Sequence, residues 1–382
     1  RLDSIKSMYY SEQSFDDFYY GKGSTFGDIH GSVGILFEQG SSRSLETTTS
    51  SGKLTYAFSV RNQFMATLGN IDGLVALRKD FLNYQKSFYQ TANSEAKKNP
   101  VKGYLISLKN NRTKAQMLLK NLQSHRIVAY ELKRSISIRE GKFNKGEAVI
   151  IPTKQPQTRF INGIMEKVTM FTDSLFYDVS AWTLPLAYGV ESYQLKQGPE
   201  SYLGNELPLV ELDGGSVMGG KAQSAYLMKW NRYYNARALY KILDAGILPR
   251  LTTEPFSANV NGKKMSFDRG TIVIPVIQRD ANSTLGEDDI HNLMNEIAVE
   301  NHVNIYATNS ASTPTGPDLG GAFQGLLKKP KVAILSGRGT SSYGVGEVWH
   351  LLNHRMHIPA SLVDANNLSQ RKLSDYNTLI LA

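Results

Sequence analysis

The middle of this chain is written twice, and that duplication limits the fold more than any other feature of its sequence. Tyr104-Leu105-Ile106 recurs as Tyr226-Leu227-Met228, Leu118 and Leu122 recur as Leu239 and Leu243, and Phe143-x-x-Gly146 ahead of Ile151-Pro152 recurs as Phe267-x-x-Gly270 ahead of Ile274-Pro275. The offset stays between 121 and 124 residues throughout. Each copy reads as strand, amphipathic helix, strand, hairpin strand, helix, strand. The second helices are expected at 158–172 and 286–300, and the closing strands at Leu175 to Val179 and Val303 to Thr308. A repeat of this length implies two similar α/β units, each with its own core. Gly146 and Gly270 should occupy the same tight turn, because glycine tolerates positive φ. No acid and base stand at matched positions in the copies, so this region reads as a scaffold or partner-binding part.

Upstream of the repeat, one carboxylate stands at the end of an apolar run. Val33-Gly34-Ile35-Leu36-Phe37-Glu38 reads as a strand covered on both faces, since it lacks the polar alternation of a half-exposed one. Glu38 then falls at the strand's carboxyl end, where open α/β sheets place their crevices. Phe18-Tyr19-Tyr20-Gly21-Lys22-Gly23-Ser24-Thr25-Phe26 precedes it as a Gly-rich loop. Lys53 to Val60 follows as a second strand, and a long amphipathic segment runs from about Ala66 to Ala92.

In order and spacing, this first quarter of the chain resembles the last part of the catalytic domain of the zinc carboxypeptidases, the carboxypeptidase A-like family. The resemblance implies a mobile loop bearing a substrate-capping tyrosine, a strand ending in the catalytic glutamate, and a closing helix. Glu38 matches the glutamate that activates zinc-bound water and passes its proton to the leaving amine. Tyr20 matches the capping tyrosine; Tyr19 is a second candidate, and a third alignment puts Phe26 there, where the phenolic hydroxyl would be missing. The implied cofactor is zinc, and the implied substrate is a peptide or protein.

The family takes two zinc ligands from a His-x-x-Glu pair and a third from a later histidine, all before the tyrosine. None of His30, His125, His291, His302, His350, His354 and His357 has a glutamate three residues on, and His30 lies too close to Glu38. The metal ligands are therefore expected upstream, in a parent metallocarboxypeptidase of which this chain is a fragment, inactive alone. Arg1 to Tyr9, which starts as if in the middle of a helix, fits that reading. The alternative is a noncatalytic binding or scaffold protein in which the peptidase fold is a relic.

The last region opens with the strand Lys331 to Leu335, then the loop Ser336-Gly337-Arg338-Gly339-Thr340-Ser341-Ser342-Tyr343-Gly344-Val345-Gly346, a helix from Glu347, and strands near Ser361 to Val363 and Asn377 to Leu381. This parallel βαβ pattern is similar to the start of a class I glutamine-amidotransferase-like, flavodoxin-like domain. The loop lacks the third glycine of a dinucleotide fingerprint and the lysine of a phosphate loop, which favours a tight turn without a ligand. Glu347, His350, His354 and His357 share one helix face by spacing and could present metal ligands, although an exposed polar face opposite Val348, Leu351, Leu352 and Met356 is the favoured explanation.

The fold class is thus α/β, in four parts: 1–96, the carboxypeptidase-like end of a catalytic domain; 97–213 and 214–318, the repeat units; and 319–382, a partial flavodoxin-like domain. A net charge of +9 is scattered in short lysine pairs without the basic and aromatic interleaving of a nucleic-acid surface. No apolar run approaches a membrane span. The absence of cysteine excludes disulfides and thiolate metal sites in this chain and fits an exported protein, periplasmic or extracellular.

Overall fold

The computed structural model describes residues 1–11, 20–167, 183–278, 285–370 and 372–382. The chain is a mixed α/β protein that divides into two compact units, 1–109 with 117–210, and 110–116 with 211–382. The 1–96 segment thus groups with most of the first repeat, and the 319–382 segment with the second. Among the described residues no helix is long and apolar enough to cross a membrane.

The first unit begins with a short helix α1 (Gly23–Asp28), a hairpin of β1 (Glu46–Thr49) and β2 (Gly52–Thr55), and two long helices, α2 (Tyr56–Ala76) and α3 (Arg78–Lys98). The strand expected over Lys53 to Val60 stops at Thr55. The Thr55 hydroxyl accepts the Phe58 backbone N–H and starts α2 instead. The single amphipathic segment expected over 66–92 is two helices, broken at Leu77.

The first repeat supplies β3 (Gly103–Ser107), α4 (Arg112–Ser124), β4 (Tyr130–Leu132), the hairpin strands β5 (Ile136–Ile138) and β6 (Gly141–Phe143), β7 (Ala148–Pro152), α5 (Thr158–Met165), α6 (Leu184–Tyr188), β8 (Ser192–Leu195) and β9 (Leu203–Glu206). The second supplies β10 (Val217–Met218), β11 (Ala225–Met228), α7 (Asn235–Asp244), β12 (Arg250–Thr252), the hairpin strands β13 (Phe256–Val260) and β14 (Lys263–Phe267), β15 (Ile272–Pro275), α8 (Glu287–Asn301), β16 (Ile305–Thr308) and β17 (Gln324–Leu326). The first sheet runs β8-β3-β7-β4-β9 and the second β10-β16-β11-β15-β12-β17. Apart from β10, which adds in parallel to β16, the orders match strand for strand and every neighbour is antiparallel.

Registers agree as well. Tyr104 lies opposite Ile151, and Tyr226 lies opposite Ile274. Gly146 and Gly270 share φ of +83° and +84°. Arg126 and Gly246 both take left-handed φ at the ends of α4 and α7, where Ile127 and Ile247 donate back to Leu122 and Ile242. This cap aligns Leu122 with Ile242, one residue off the Leu122 to Leu243 match read from the sequence. The strand paired on β3 as β16 is on β11 is Ser192–Leu195; Leu175 to Val179 lies outside the described residues, and α5 ends at Met165, short of residue 172.

The core strands β3, β7, β11 and β15 are buried along nearly their whole length, which explains why they read as continuous apolar runs. Leu105, Leu132, Phe143 and Ile150 fill one face of the first sheet, and Leu227, Phe256, Phe267 and Val273 one face of the second. The closing elements are β18 (Val332–Ser336), α9 (Ser342–Trp349), β19 (Ala360–Asp364) and β20 (Thr378–Leu381), in a parallel sheet of order β19-β18-β20. Helix α9 begins at Ser342, five residues before the expected Glu347, because the Ser341 hydroxyl caps the Gly344 N–H.

Candidate functional site

The segment carrying Glu38 is held from both ends. At its start, the Asp28 carboxylate accepts the Gly34 N–H at 2.5 Å. At its end, side chains of α2 grip the backbone: Gln63 Nε2 donates to the Phe37 carbonyl at 3.2 Å and Ser59 Oγ to the Gly40 carbonyl at 2.9 Å. Asn62, buried on the same helix, donates to Gln39 Oε1 at 3.1 Å and to Ser7 Oγ at 2.8 Å. Residues 59, 62 and 63 fall on one face of α2 by helical spacing. Ser59 was not legible as an anchor because 53–60 read as a strand, and Asn62 and Gln63 lay between that strand and the amphipathic segment from about Ala66.

Between these anchors, Val33 to Glu38 is not the buried strand expected. Among the described residues, no backbone–backbone hydrogen bond involves residues 33–44, and Val33, Ile35, Leu36 and Phe37 are 45–54% exposed. An apolar run becomes a strand only when another strand pairs with its amides and carbonyls, and none of the described strands does so. The side chain of Glu38 is exposed. Its neighbour Gln39 lines a groove of about 430 Å³ together with Ser41, Ser59, Val60, Gln63, Phe64 and Thr67. The floor is part amide, part apolar: Val60 and Phe64 are exposed along α2.

Tyr20 is buried, with its ring edge-on to Phe160 of α5 at 5.6 Å. Tyr19 lies outside the described residues. Phe26 stacks on His30 at 4.3 Å and lies 5.6 Å from His125, so this loop joins an aromatic cluster with Phe160. His30 Nδ1 bonds the Phe26 carbonyl at 2.8 Å, and its buried Nε2 has no hydrogen-bond partner among the described residues. Burial and then the nearby His30 push His125 below the usual imidazole range.

Among the described residues, no three or more His, Asp or Glu side chains are placed to hold a metal ion. Beyond Trp349 the helix widens into a π-turn at His350–Arg355, where His350 and His354 stack on each other at 5.5 Å and His354 packs on Trp349. The described residues therefore present no ligand set to hold a zinc ion. Comparison of the chain with protein-family models, with curated proteins and with solved structures finds no match in any of the three.

Proposed function

We propose that this chain is part of a zinc-dependent metallocarboxypeptidase that hydrolyses peptide bonds, with Glu38 as the general base, zinc ligands upstream of Arg1 and a peptide or protein substrate. The observation that carries the reading is the setting of Glu38: an exposed carboxylate on a segment whose backbone is tethered by Asp28 of α1 and by Ser59 and Gln63 of α2, next to Gln39, which lines a groove with an amide and apolar floor. A general base needs a fixed backbone and a free carboxylate oxygen, and this arrangement provides both. Zinc, when bound, would supply an acidified water; Glu38 would take up a proton there and return it to the leaving amine. The expectation of an exported parent belongs to the same proposal, as does Tyr20 as the capping tyrosine.

The test is Glu38→Gln in a protein that carries both this chain and the upstream His-x-x-Glu and later histidine. The substitution keeps shape and removes the proton acceptor, so turnover should fall by roughly 100-fold with zinc content unchanged. Unchanged turnover rules out Glu38 as the base. An upstream sequence without that ligand set favours the noncatalytic binding protein instead.

A further inference from the structure

The two copies carry the same three donors with different partners. By strand register Tyr193 of β8 matches Tyr306 of β16, since they lie opposite Leu105 and Leu227. Lys109 and Lys229 follow the matched strands β3 and β11, and each rests its ammonium over the matched phenylalanine, 4.5 Å from the Phe143 ring centre and 4.9 Å from that of Phe267. The tyrosines pack on the same rings, Tyr193 on Phe143 at 5.7 Å and Tyr306 on Phe267 at 5.5 Å. Three residues after each lysine stands an arginine, Arg112 and Arg232.

In the first copy every one of these donors has an acidic partner. Lys109 reaches Glu147 at 3.3 Å, Tyr193 bonds Glu191, and Arg112 Nε reaches Asp213 at 2.5 Å. The positions matching Glu147 and Glu191 are Thr271 and Asn304 in the second copy. Lys229 there has no acceptor for its ammonium among the described residues, and it lies over the Tyr306 ring as well, at 5.6 Å. The Tyr306 hydroxyl has no hydrogen-bond partner among them either; the residue is 8% exposed and its hydroxyl reaches solvent. Arg232 is half-buried, and its guanidinium makes one long contact, 3.5 Å to the Thr113 hydroxyl. Burial makes its charge costly; Asp213 and the Tyr306 phenol act to hold that charge, while Arg112 opposes it. Asp213 is already committed to Arg112 and to Gln116 Nε2 at 2.7 Å.

Part-buried cations without a carboxylate paired to them are expensive, and a copy that keeps them beside an unused hydroxyl, with Thr271 and Asn304 where the first copy has acids, suits a negative partner. We propose that Lys229, Arg232 and Tyr306 form a binding site for an oxyanion, a carboxylate or a phosphate group. The guanidinium supplies a planar fork, the ammonium a point charge steadied by two aromatic faces, and the phenol a neutral donor.

Calorimetric titration of the chain at low salt, with inorganic phosphate and separately with succinate, tests this. One saturable event with at least one probe is expected; the probe that binds identifies phosphate or carboxylate as the source. Lys229→Gln and Arg232→Gln should each weaken it about tenfold or more, while Lys109→Gln leaves it unchanged. Asn304→Glu restores the acid of the first copy and should abolish binding in a protein with an unaltered circular dichroism spectrum. No saturation with either probe overturns the site. So does wild-type affinity in Lys229→Gln, or in Asn304→Glu.

Discussion

At the scale of single residues, the repeat is held by backbone demands more than by side-chain identity. Gly146 and Gly270 take the same positive φ, yet a Cβ at Gly146 would meet nothing within 4 Å and at Gly270 only the Trp230 Cβ at 3.9 Å. Alanine at either site is therefore strained by conformation alone. Each change should cost about 1–2 kcal/mol, similar in the two copies, as read from urea melts. A cost near zero at one of them would mean its turn relaxes to negative φ. A second matched device is Gln155, whose amide donates to the Val128 and Pro152 carbonyls and accepts the Val128 N–H. Gln278 does the same for the Leu248 N–H and the Pro275 carbonyl. Leucine at Gln155 leaves buried backbone groups unpaired and should cost about 1–3 kcal/mol. Glutamine stands three residues after each Ile-Pro in the sequence, a match the repeat reading above did not include.

At the scale of elements, α3 is fastened to α5 by one side chain. Arg159 forks onto both oxygens of Glu95, donates to the Phe88 carbonyl at 2.8 Å and to Thr91 Oγ1 at 2.9 Å, and lies 4.1 Å over the Phe88 ring. Lysine cannot reproduce the planar fork, so Arg159→Lys should lose about 1–3 kcal/mol, nearly as much as Arg159→Ala. Lysine restoring wild-type stability would show that charge alone holds the contact. Buried strands such as β3 and β15 were legible because both faces demand apolar residues. Helix starts were not, because a single hydroxyl at Thr55 or Ser341 decides them. Val33 to Glu38 was misread because a strand is a relation between two segments, and composition shows only one of them. Glu38 was legible as a lone carboxylate in an apolar setting; its anchor Ser59 was hidden by the strand period read over 53–60, and Asn62 and Gln63 fell in the gap before the amphipathic segment.

At the scale of the whole molecule, two compact units with separate cores should unfold with separate responses to acid. His125 belongs to the first unit, packed among Phe26, His30 and Phe160, and its matched position before the helix cap in the second copy is Ala245. Its folded-state pKa lies below the unfolded value, with burial the main cause and His30 the second. In the histidine range the unfolded chain then binds more protons than the folded one. The slope of unfolding free energy against pH is therefore positive, and stability falls as pH drops from neutral through the unfolded pKa towards the lower folded one. Glu166 in the same unit is raised by burial, so its folded form binds protons more readily and opposes this loss, but only lower, in the carboxylate range. Thermal melts between pH 7.5 and 5.5 separate the two groups. The transition of the first unit should move down across that span in wild type and less so in His125→Phe, which keeps the aromatic packing without the proton site. An equal shift in both proteins would assign the acid response to other groups; a shift in the opposite direction would mean that folding raises the His125 pKa.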